Sequence, residues 1–242
     1  MKKTVLIIGA NSDIAKEISN VFLEKKYFLH LMTRNDEDLI LHNKNNLFKE
    51  KCKVYKFDPK NHKEFSERIS NMKPSPEICI IANGYMGKSN LDYNFFEDFE
   101  KIVKVNFLDP AILSKMVIDF YLSNKIDGNI SIISSVAGIR GRAKNYIYGA
   151  SKSAITTFFS GLRQKYSKEN ITFTSIILGF VNTRMTKKEK INKFLNSSPK
   201  KVAIKIVTAI ENKKEIYFPF KWKIIMFIIN LIPEKIFKKL NF

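Results

Sequence analysis

The chain has 242 residues, 45% of them hydrophobic, and a formal charge of +19 at pH 7. This length and apolar fraction predict one large globular domain and exclude a disordered chain. The two cysteines, Cys52 and Cys79, lie in no CxxC pair and near no clustered histidines, so we expect free buried thiols, no disulfides and no metal site.

The net positive charge suits acidic partners, namely phosphorylated substrates, anionic lipid or nucleic acid, or it reflects composition alone. No nucleic-acid motif accompanies it, so we expect no specific nucleic-acid binding.

The chain opens on a short apolar run, Val5 to Ile8, which is too short for the apolar region of a secretory signal. No run reaches the roughly 18 apolar residues that a spanning helix needs. We therefore expect a cytoplasmic protein, with contact to the inner face of the membrane as a further option.

The first forty residues show the pattern of a phosphate-binding unit. Val5 to Ile8 predicts a buried strand, and a helical pattern follows the turn from Gly9 to Ala15. A helix that begins in such a turn faces a pyrophosphate with its free backbone N–H groups. We expect Asp13, an acidic residue at the start of the helix, to cap backbone amides. The residues expected to hold the pyrophosphate are Gly9, Asn11, Ser12, Asp13 and Ile14.

The second predicted strand, Tyr27 to Thr33, ends at Arg34. An acidic residue at this place accepts the ribose 2′-hydroxyl of NAD, whereas a basic residue accommodates the 2′-phosphate of NADP. Thr33 and Arg34 therefore favour NADP(H), and nearby Asp36 and Asp38 keep NAD as the alternative.

The remaining pattern alternates strands and helices. Strands are predicted at 52–57, ending in Asp58, at 78–82, before Asn83 and Gly84, at 130–133, after a turn at 128–129 and before Ser134 and Ser135, at 171–178 and at 215–218. Helices are predicted around Phe65 and Ile69, over 95–126 with Asn106 in the middle, from Tyr148 to about Lys168, and over 202–211. This order predicts an α/β fold: a doubly wound parallel sheet of about seven strands, with helices on both faces.

The segment from Ser134 to Lys152 carries the chemistry. Tyr148 and Lys152 are four residues apart, so they share one face of a helix. An ammonium beside a phenol lowers the pKa of the phenol and prepares it for acid/base work. Ser135 closes an apolar run and would point into the crevice at the carboxyl end of the sheet.

These residues resemble the short-chain dehydrogenase/reductase family, whose motif is Ser, a gap of about this size, and Tyr-x-x-x-Lys. The Gly9 turn, Ala82-Asn83-Gly84 and Gly179-Phe180-Val181-Asn182-Thr183 resemble its other motifs in order. The resemblance implies a Rossmann fold and an NAD(P)-dependent oxidoreductase. It implies that Tyr148 gives a proton to the substrate oxygen, which Ser135 hydrogen-bonds, and that Lys152 holds the nicotinamide ribose. Asn106 would hold a water in the proton relay.

Further roles come from the same resemblance. Val181 and Thr183 would hold the nicotinamide carboxamide, and Gly84 would let the backbone approach the cofactor, beside Asn83. Asp58 would contact the adenine, or it would cap the following helix. The chain departs from the pattern at Asp13 and Ala15, where the family has glycines, and at Leu178, where it has proline.

We therefore predict, over residues 1–220, an NADP(H)-dependent enzyme that reduces a ketone to an alcohol, or the reverse. Its substrate would be a small-molecule or carrier-linked carbonyl compound, such as a phosphorylated or lipid-linked keto-sugar. The alternatives are a 3-oxoacyl carrier-protein reductase and a catalytically inactive NADP-binding regulator or scaffold. The resemblance also implies that the protein forms a homo-dimer or tetramer. The basic, apolar tail, 221–242, loosely resembles a polyprenyl-linked keto-sugar reductase branch, and it would either lie at a membrane interface through 222–242 or pack on the domain.

Overall fold

The computed structural model describes residues 3–37, 46–87, 95–186 and 195–240. Seven parallel strands form one sheet in the order β3-β2-β1-β4-β5-β6-β7. The strands are β1 (Thr4–Ile8), β2 (Phe28–Thr33), β3 (Cys52–Lys56), β4 (Ile78–Ile81), β5 (Gly128–Ser135), β6 (Ile171–Leu178) and β7 (Ile216–Tyr217). The strand order reverses beside β1, and this switch point is where doubly wound sheets bind ligands.

Helices cover both faces of the sheet. They are α1 (Asp13–Glu24), α2 (Asn46–Lys51), α3 (His62–Ser70), α4 (Phe95–Val103), α5 (Asp109–Ser123), α6 (Tyr146–Lys165), α7 (Pro199–Glu211), α8 (Phe220–Leu231) and α9 (Glu234–Phe237). In β1, Val5 and Ile7 pack against α1 and α7, while Leu6 and Ile8 pack against α5 and α6. Both faces of the strand are buried, which is why its sequence is continuously apolar. The predicted doubly wound sheet is confirmed.

The main differences between the helices and the sequence expectation lie between α4 and α5, at α2 and at the end of α6. The helix predicted over 95–126 is α4 and α5 joined by a π-helical turn, Lys104–Leu108, and it ends at Ser123. The short helix α2 was not predicted, since only Phe48 of its six residues is buried and it therefore has no apolar stripe. The helix α6 ends at Lys165 and not near Lys168.

The C-terminal tail packs on the domain through part of its surface. Trp222 and Met226 of α8 are buried against Val136 and Ile177. A β-carbon on Gly179 would fall 1.9 Å from the indole Nε1 of Trp222, so only glycine admits the ring there. Among the helices in the described ranges, none combines the length and the apolar character needed to cross a bilayer.

Candidate active site

A cavity of about 680 Å³ lies at the carboxyl edge of the sheet, beside the switch point. The turn after β1 and the ends of β2, β4, β5 and β6 form its walls. It brings together every predicted site residue except Asn106, namely Gly9, Asn11, Ser12, Asp13, Ile14, Thr33, Arg34, Asp58, Asn83, Gly84, Ser135, Tyr148, Lys152, Val181 and Thr183.

Ser135 and Tyr148 meet because two glycines let a turn approach α6. A β-carbon on Gly138 would lie 2.6 Å from the backbone nitrogen of Ser153, and one on Gly149 would lie 2.6 Å from the carbonyl oxygen of Ala137. The turn that follows β5 therefore sits directly on the helix. In this arrangement Ser135 and Tyr148 line the same cavity, and Ser135 is near enough to act on the pKa of the phenol.

Ser134 is turned away from this pair. Its hydroxyl donates to the carbonyl of Lys152 at 3.1 Å and lies 2.6 Å from the hydroxyl of Thr156, so it fastens β5 to α6. The hydroxyl of Ser135 accepts the N–H of Ala137 at 3.1 Å and faces the cavity. The geometry therefore favours Ser135 as the serine that reaches a ligand.

Burial controls the titration of both Tyr148 and Lys152. It raises the pKa of Tyr148 to about 12, although Ser135 and the charge of Arg142 act in the lowering direction. Burial lowers the pKa of Lys152 to about 8. The Lys152 ammonium donates to the carbonyl of Ile133 at 2.8 Å and lies 5.8 Å from the centroid of the Tyr148 ring. The expected lowering of the phenol pKa by Lys152 is therefore absent here, because desolvation outweighs the opposing charges.

Asn106 lies fully buried in the π-helical turn between α4 and α5. Its amide nitrogen donates to the carbonyl of Tyr85 at 2.7 Å, and its amide oxygen accepts the N–H of Tyr85 at 2.9 Å. The side chain thus fixes the backbone just after Gly84. A β-carbon on Gly84 would lie 4.0 Å from the ammonium nitrogen of Lys152, so this segment forms the wall beside the lysine.

The turn after β1 fits a dinucleotide. Gly9 has a φ of +80°, and a β-carbon there would lie 2.6 Å from the amide oxygen of Asn83, so the turn requires glycine. The side-chain oxygens of Asn11 and Asn83 are buried at the cavity without a hydrogen-bond partner from the described chain. Unpaired buried oxygens are costly in a closed core, and the two asparagines that carry them both line the cavity.

The helix cap at this turn is Ser12, whose hydroxyl accepts the N–H of Ala15 at 3.2 Å. The expectation that Asp13 caps backbone amides of the helix is therefore wrong. Its carboxylate accepts the backbone N–H of Arg184 at 2.6 Å and the Nε of the same residue at 2.7 Å. Both oxygens of the Asp13 carboxylate are therefore occupied by Arg184, one by its backbone N–H and the other by its guanidinium.

Arg34, Thr33 and Asp58 border the other end of the cavity. Arg34 is exposed just beyond β2, where a ribose 2′-substituent would lie. Asp58 accepts the N–H of Lys60 at 3.1 Å, while α3 begins later with Asn61 as its cap position. Asp58 therefore stabilises a turn before the helix, and the helix-cap alternative is wrong. Asp38 lies outside the described residues.

Sequence reasoning assigned no partner to Arg184, in the loop that follows Thr183. The hydroxyl of Thr186 donates to the carbonyl of Val181 at 2.6 Å and accepts the N–H of Thr183 at 3.1 Å, so the start of this loop is a hydrogen-bonded turn beside the cavity. Arg184 reaches Asp13, a contact that spans 171 residues. The only feature of the sequence that could have indicated this contact is the basic residue directly after Thr183.

Arg142 was also missed, although it lines the same cavity and its charge acts on the phenol of Tyr148. The side-chain oxygen of Asn145, another lining residue, is buried without a partner in the described chain. Both lie in the interval between Ser135 and Tyr148, and a basic residue in that interval was the available signal.

A parallel sheet with a glycine turn at its switch point and a Ser–Tyr–Lys group beside it defines a Rossmann-type oxidoreductase. A sequence profile of the family described as short chain dehydrogenase matches residues 3–193. The chain therefore belongs to the short-chain dehydrogenase family.

Individual relatives agree with this assignment. The chain is 27% identical over 240 residues to the 3-oxoacyl-[acyl-carrier-protein] reductase FabG of Buchnera aphidicola subsp. Schizaphis graminum, covering 90% of this chain and 89% of the relative. A solved 4-hydroxyisoleucine dehydrogenase complexed with NADH is 27% identical, with a TM-score of 0.77 over 88% of this chain and 93% of that one. A short chain dehydrogenase from Burkholderia cenocepacia J2315, solved with NADP, shares the fold at 15% identity and a TM-score of 0.83, covering 99% and 97%.

Proposed function

We propose that this oxidoreductase uses NADP(H) to reduce a ketone to an alcohol, or to catalyse the reverse reaction. The observation that supports this most strongly is that Ser135, Tyr148 and Lys152 line one cavity, with Tyr148 and buried Lys152 on the same helix. Strand-end hydroxyl, phenol and ammonium converge where the sheet's switch point would place a dinucleotide. A bound nicotinamide would supply the hydride.

The side chains then supply the proton and its alignment. With a pKa of about 12, Tyr148 is protonated at neutral pH, which is the form that can give a proton to the carbonyl oxygen as it gains charge. Ser135, which lines the cavity with this phenol, would hydrogen-bond the same oxygen and hold it in line. Lys152 would hold the ribose and bring positive charge near the phenol once the cavity is filled. Asn106 would position the Gly84 wall through Tyr85.

The choice of NADP(H) rests on Arg34, whose guanidinium suits a 2′-phosphate. The NADH-bound 4-hydroxyisoleucine dehydrogenase keeps NAD as the alternative. Fluorescence titration separates the two, since the proposal expects NADPH to bind more tightly than NADH. Tighter binding of NADH would overturn the role of Arg34.

For the substrate we propose an anionic carbonyl compound, with a phosphorylated or lipid-linked keto-sugar as first choice. Arg142 lines the cavity beside Tyr148, where it could bind a phosphate or carboxylate. The similarity to a 3-oxoacyl-[acyl-carrier-protein] reductase supports the alternative, an acidic carrier bearing a 3-oxoacyl chain. NADPH consumption with phosphorylated keto-sugars, neutral ketones and 3-oxoacyl thioesters would separate these classes. NADPH binding without turnover of any of them would favour the inactive regulator.

We propose that the tail contacts an anionic membrane. Five apolar residues form an exposed stripe on α8, and we call it the α8 apolar face: Phe220, Ile224, Phe227, Ile228 and Leu231. Their spacing places them on one side of the helix, opposite Trp222 and Met226, which are buried. The chain from 219 to 242 also carries five lysines and one glutamate. A basic rim around an exposed apolar helix face suits anionic lipid, whereas a second copy of the same face would bring like charges together.

Vesicle co-sedimentation tests this contact. The full chain should bind vesicles containing anionic lipid, and Phe227→Asp should abolish binding. Ile204→Asp, which adds the same charge at an exposed apolar site on α7, should leave it intact. Failure of the unaltered chain to bind anionic vesicles, or equal binding by Phe227→Asp, would overturn the proposal.

We also propose a homo-dimer or tetramer that uses the helices around Asn106 and Tyr148. Exposed Phe95, Phe96 and Phe99 on α4, together with Leu108, support an apolar contact there. Sedimentation velocity should show an oligomer that Phe96→Glu dissociates, and a monomer at all concentrations would overturn it.

A further inference from the structure

The contact between Asp13 and Arg184 places opposite charges at the mouth of the cofactor cavity. The carboxylate accepts two N–H groups of Arg184, at 2.6 and 2.7 Å, and the Nη2 of the same guanidinium donates to the carbonyl of Asn11 at 2.7 Å. Asp13, Asn11 and Arg184 all line the cavity. The contact therefore joins the turn after β1 to the loop after β6 across the cavity mouth.

Asp13 is otherwise a poor residue for this place. It is the first residue of α1, whose N-terminal N–H groups attract an anion. An uncompensated carboxylate would occupy that favourable potential and repel a diphosphate. Arg184 removes this obstacle, because its guanidinium neutralises the carboxylate while keeping further N–H groups for another anion. Of its five donors, the side-chain bonds to Asp13 and Asn11 use two.

The loop that carries Arg184 is held by its own hydrogen bonds. Thr186 ties Val181 to Thr183 through one hydroxyl, so the guanidinium extends from a folded turn. The Arg184 side chain is 67% exposed, which leaves it accessible to a ligand that enters the cavity. Such a surface ion pair contributes little to stability, so its effect should appear in binding.

We propose that the Asp13–Arg184 pair is a cofactor latch, in which Arg184 provides the positive charge for the cofactor diphosphate and Asp13 holds it across the cavity mouth. This inference rests on the proposed use of a dinucleotide. It assigns diphosphate binding to a residue outside the glycine turn, and it explains how a turn with Asp13 in place of glycine can accept that group.

A double-mutant cycle tests the latch through NADPH dissociation constants measured by fluorescence. Arg184→Met should weaken NADPH binding by about tenfold or more, because it removes a charge-assisted contact and exposes the Asp13 carboxylate. Asp13→Asn alone should have a small effect, since the amide oxygen can still accept from Arg184. The double variant should bind more tightly than Arg184→Met alone, because the repulsive charge is gone. Lys16→Met, on the same helix, is the control for losing one positive charge.

A fragment lacking the diphosphate separates this effect from general damage. Adenosine 2′-phosphate should bind Arg184→Met as tightly as the unaltered chain. Equal NADPH affinity of Arg184→Met and the unaltered chain, or no rescue in the double variant, would overturn the latch alone. Loss of affinity for the fragment as well would also overturn it, by showing a general defect. Absence of any dinucleotide binding to the unaltered chain would overturn the proposed function together with the latch.

Discussion

Lys152 should make the stability of the ligand-free protein depend on pH. Its ammonium is buried at 2% exposure, and burial lowers its pKa from 10.5 to about 8. Below pH 8 the folded state carries the full cost of burying the charge. Between pH 8 and about 10.5 the unfolded chain binds more protons than the folded one, so the free energy of unfolding rises with pH. The pKa of Lys152 differs by about 2.5 between the unfolded and the folded state, so the free energy of unfolding should rise by about 3 kcal/mol in total.

Urea unfolding of Lys152→Met and the unaltered protein, from about pH 7 to 10.5, measures this contribution. The variant lacks the buried charge, so its free energy of unfolding does not include the cost of burying it. The difference in the free energy of unfolding between the variant and the unaltered protein should therefore fall by about 3 kcal/mol in favour of the unaltered protein over that range. Loss of the bond to Ile133 adds only a constant offset, because it does not titrate in the variant. Lys168→Met, at an exposed position, should show no such change. A difference between Lys152→Met and the unaltered protein that stays constant with pH would refute the reasoning.

Three further changes probe the walls of the site. Gly149→Ala should lower turnover about tenfold or more by displacing the turn that carries Ser135. Gly161→Ala, in the same helix with open space around it, should keep turnover and raise the free energy of unfolding by up to about 1 kcal/mol. Asn106→Ala should cost about 1–3 kcal/mol in urea unfolding, because it leaves buried backbone groups of Tyr85 unpaired. Arg34→Glu should raise the dissociation constant of NADPH at least about tenfold relative to that of NADH, and an unchanged ratio would contradict its role.

The fold was predictable because the sheet is buried on both faces. Strands such as β1 are continuous apolar runs, and their alternation with helices permits few topologies. The π-helical turn was not predictable from periodicity. It forms around Asn106, whose amide is hydrogen-bonded to the backbone of Tyr85, 21 residues earlier. Helical periodicity does not predict a partner at that distance along the chain.

The site shows the same division between local and distant contacts. Tyr148 and Lys152 share a helix, so four-residue spacing was enough to place them together. The Asp13–Arg184 contact and the approach permitted by Gly149 depend on tertiary packing. The direction of the phenol pKa shift was also missed, because local spacing reports a nearby charge and gives no measure of burial.

In the proposed mechanism Tyr148 supplies the proton during hydride transfer. Single-turnover oxidation of prebound NADPH by an accepted carbonyl substrate tests it most directly, with Tyr148→Phe compared against Tyr146→Phe, which removes a phenol from an exposed position on the same helix. We expect Tyr148→Phe to bind NADPH normally and to slow the step by about 100-fold or more, while Tyr146→Phe reacts as the unaltered enzyme does. Hydride transfer at the unaltered rate in Tyr148→Phe would contradict it.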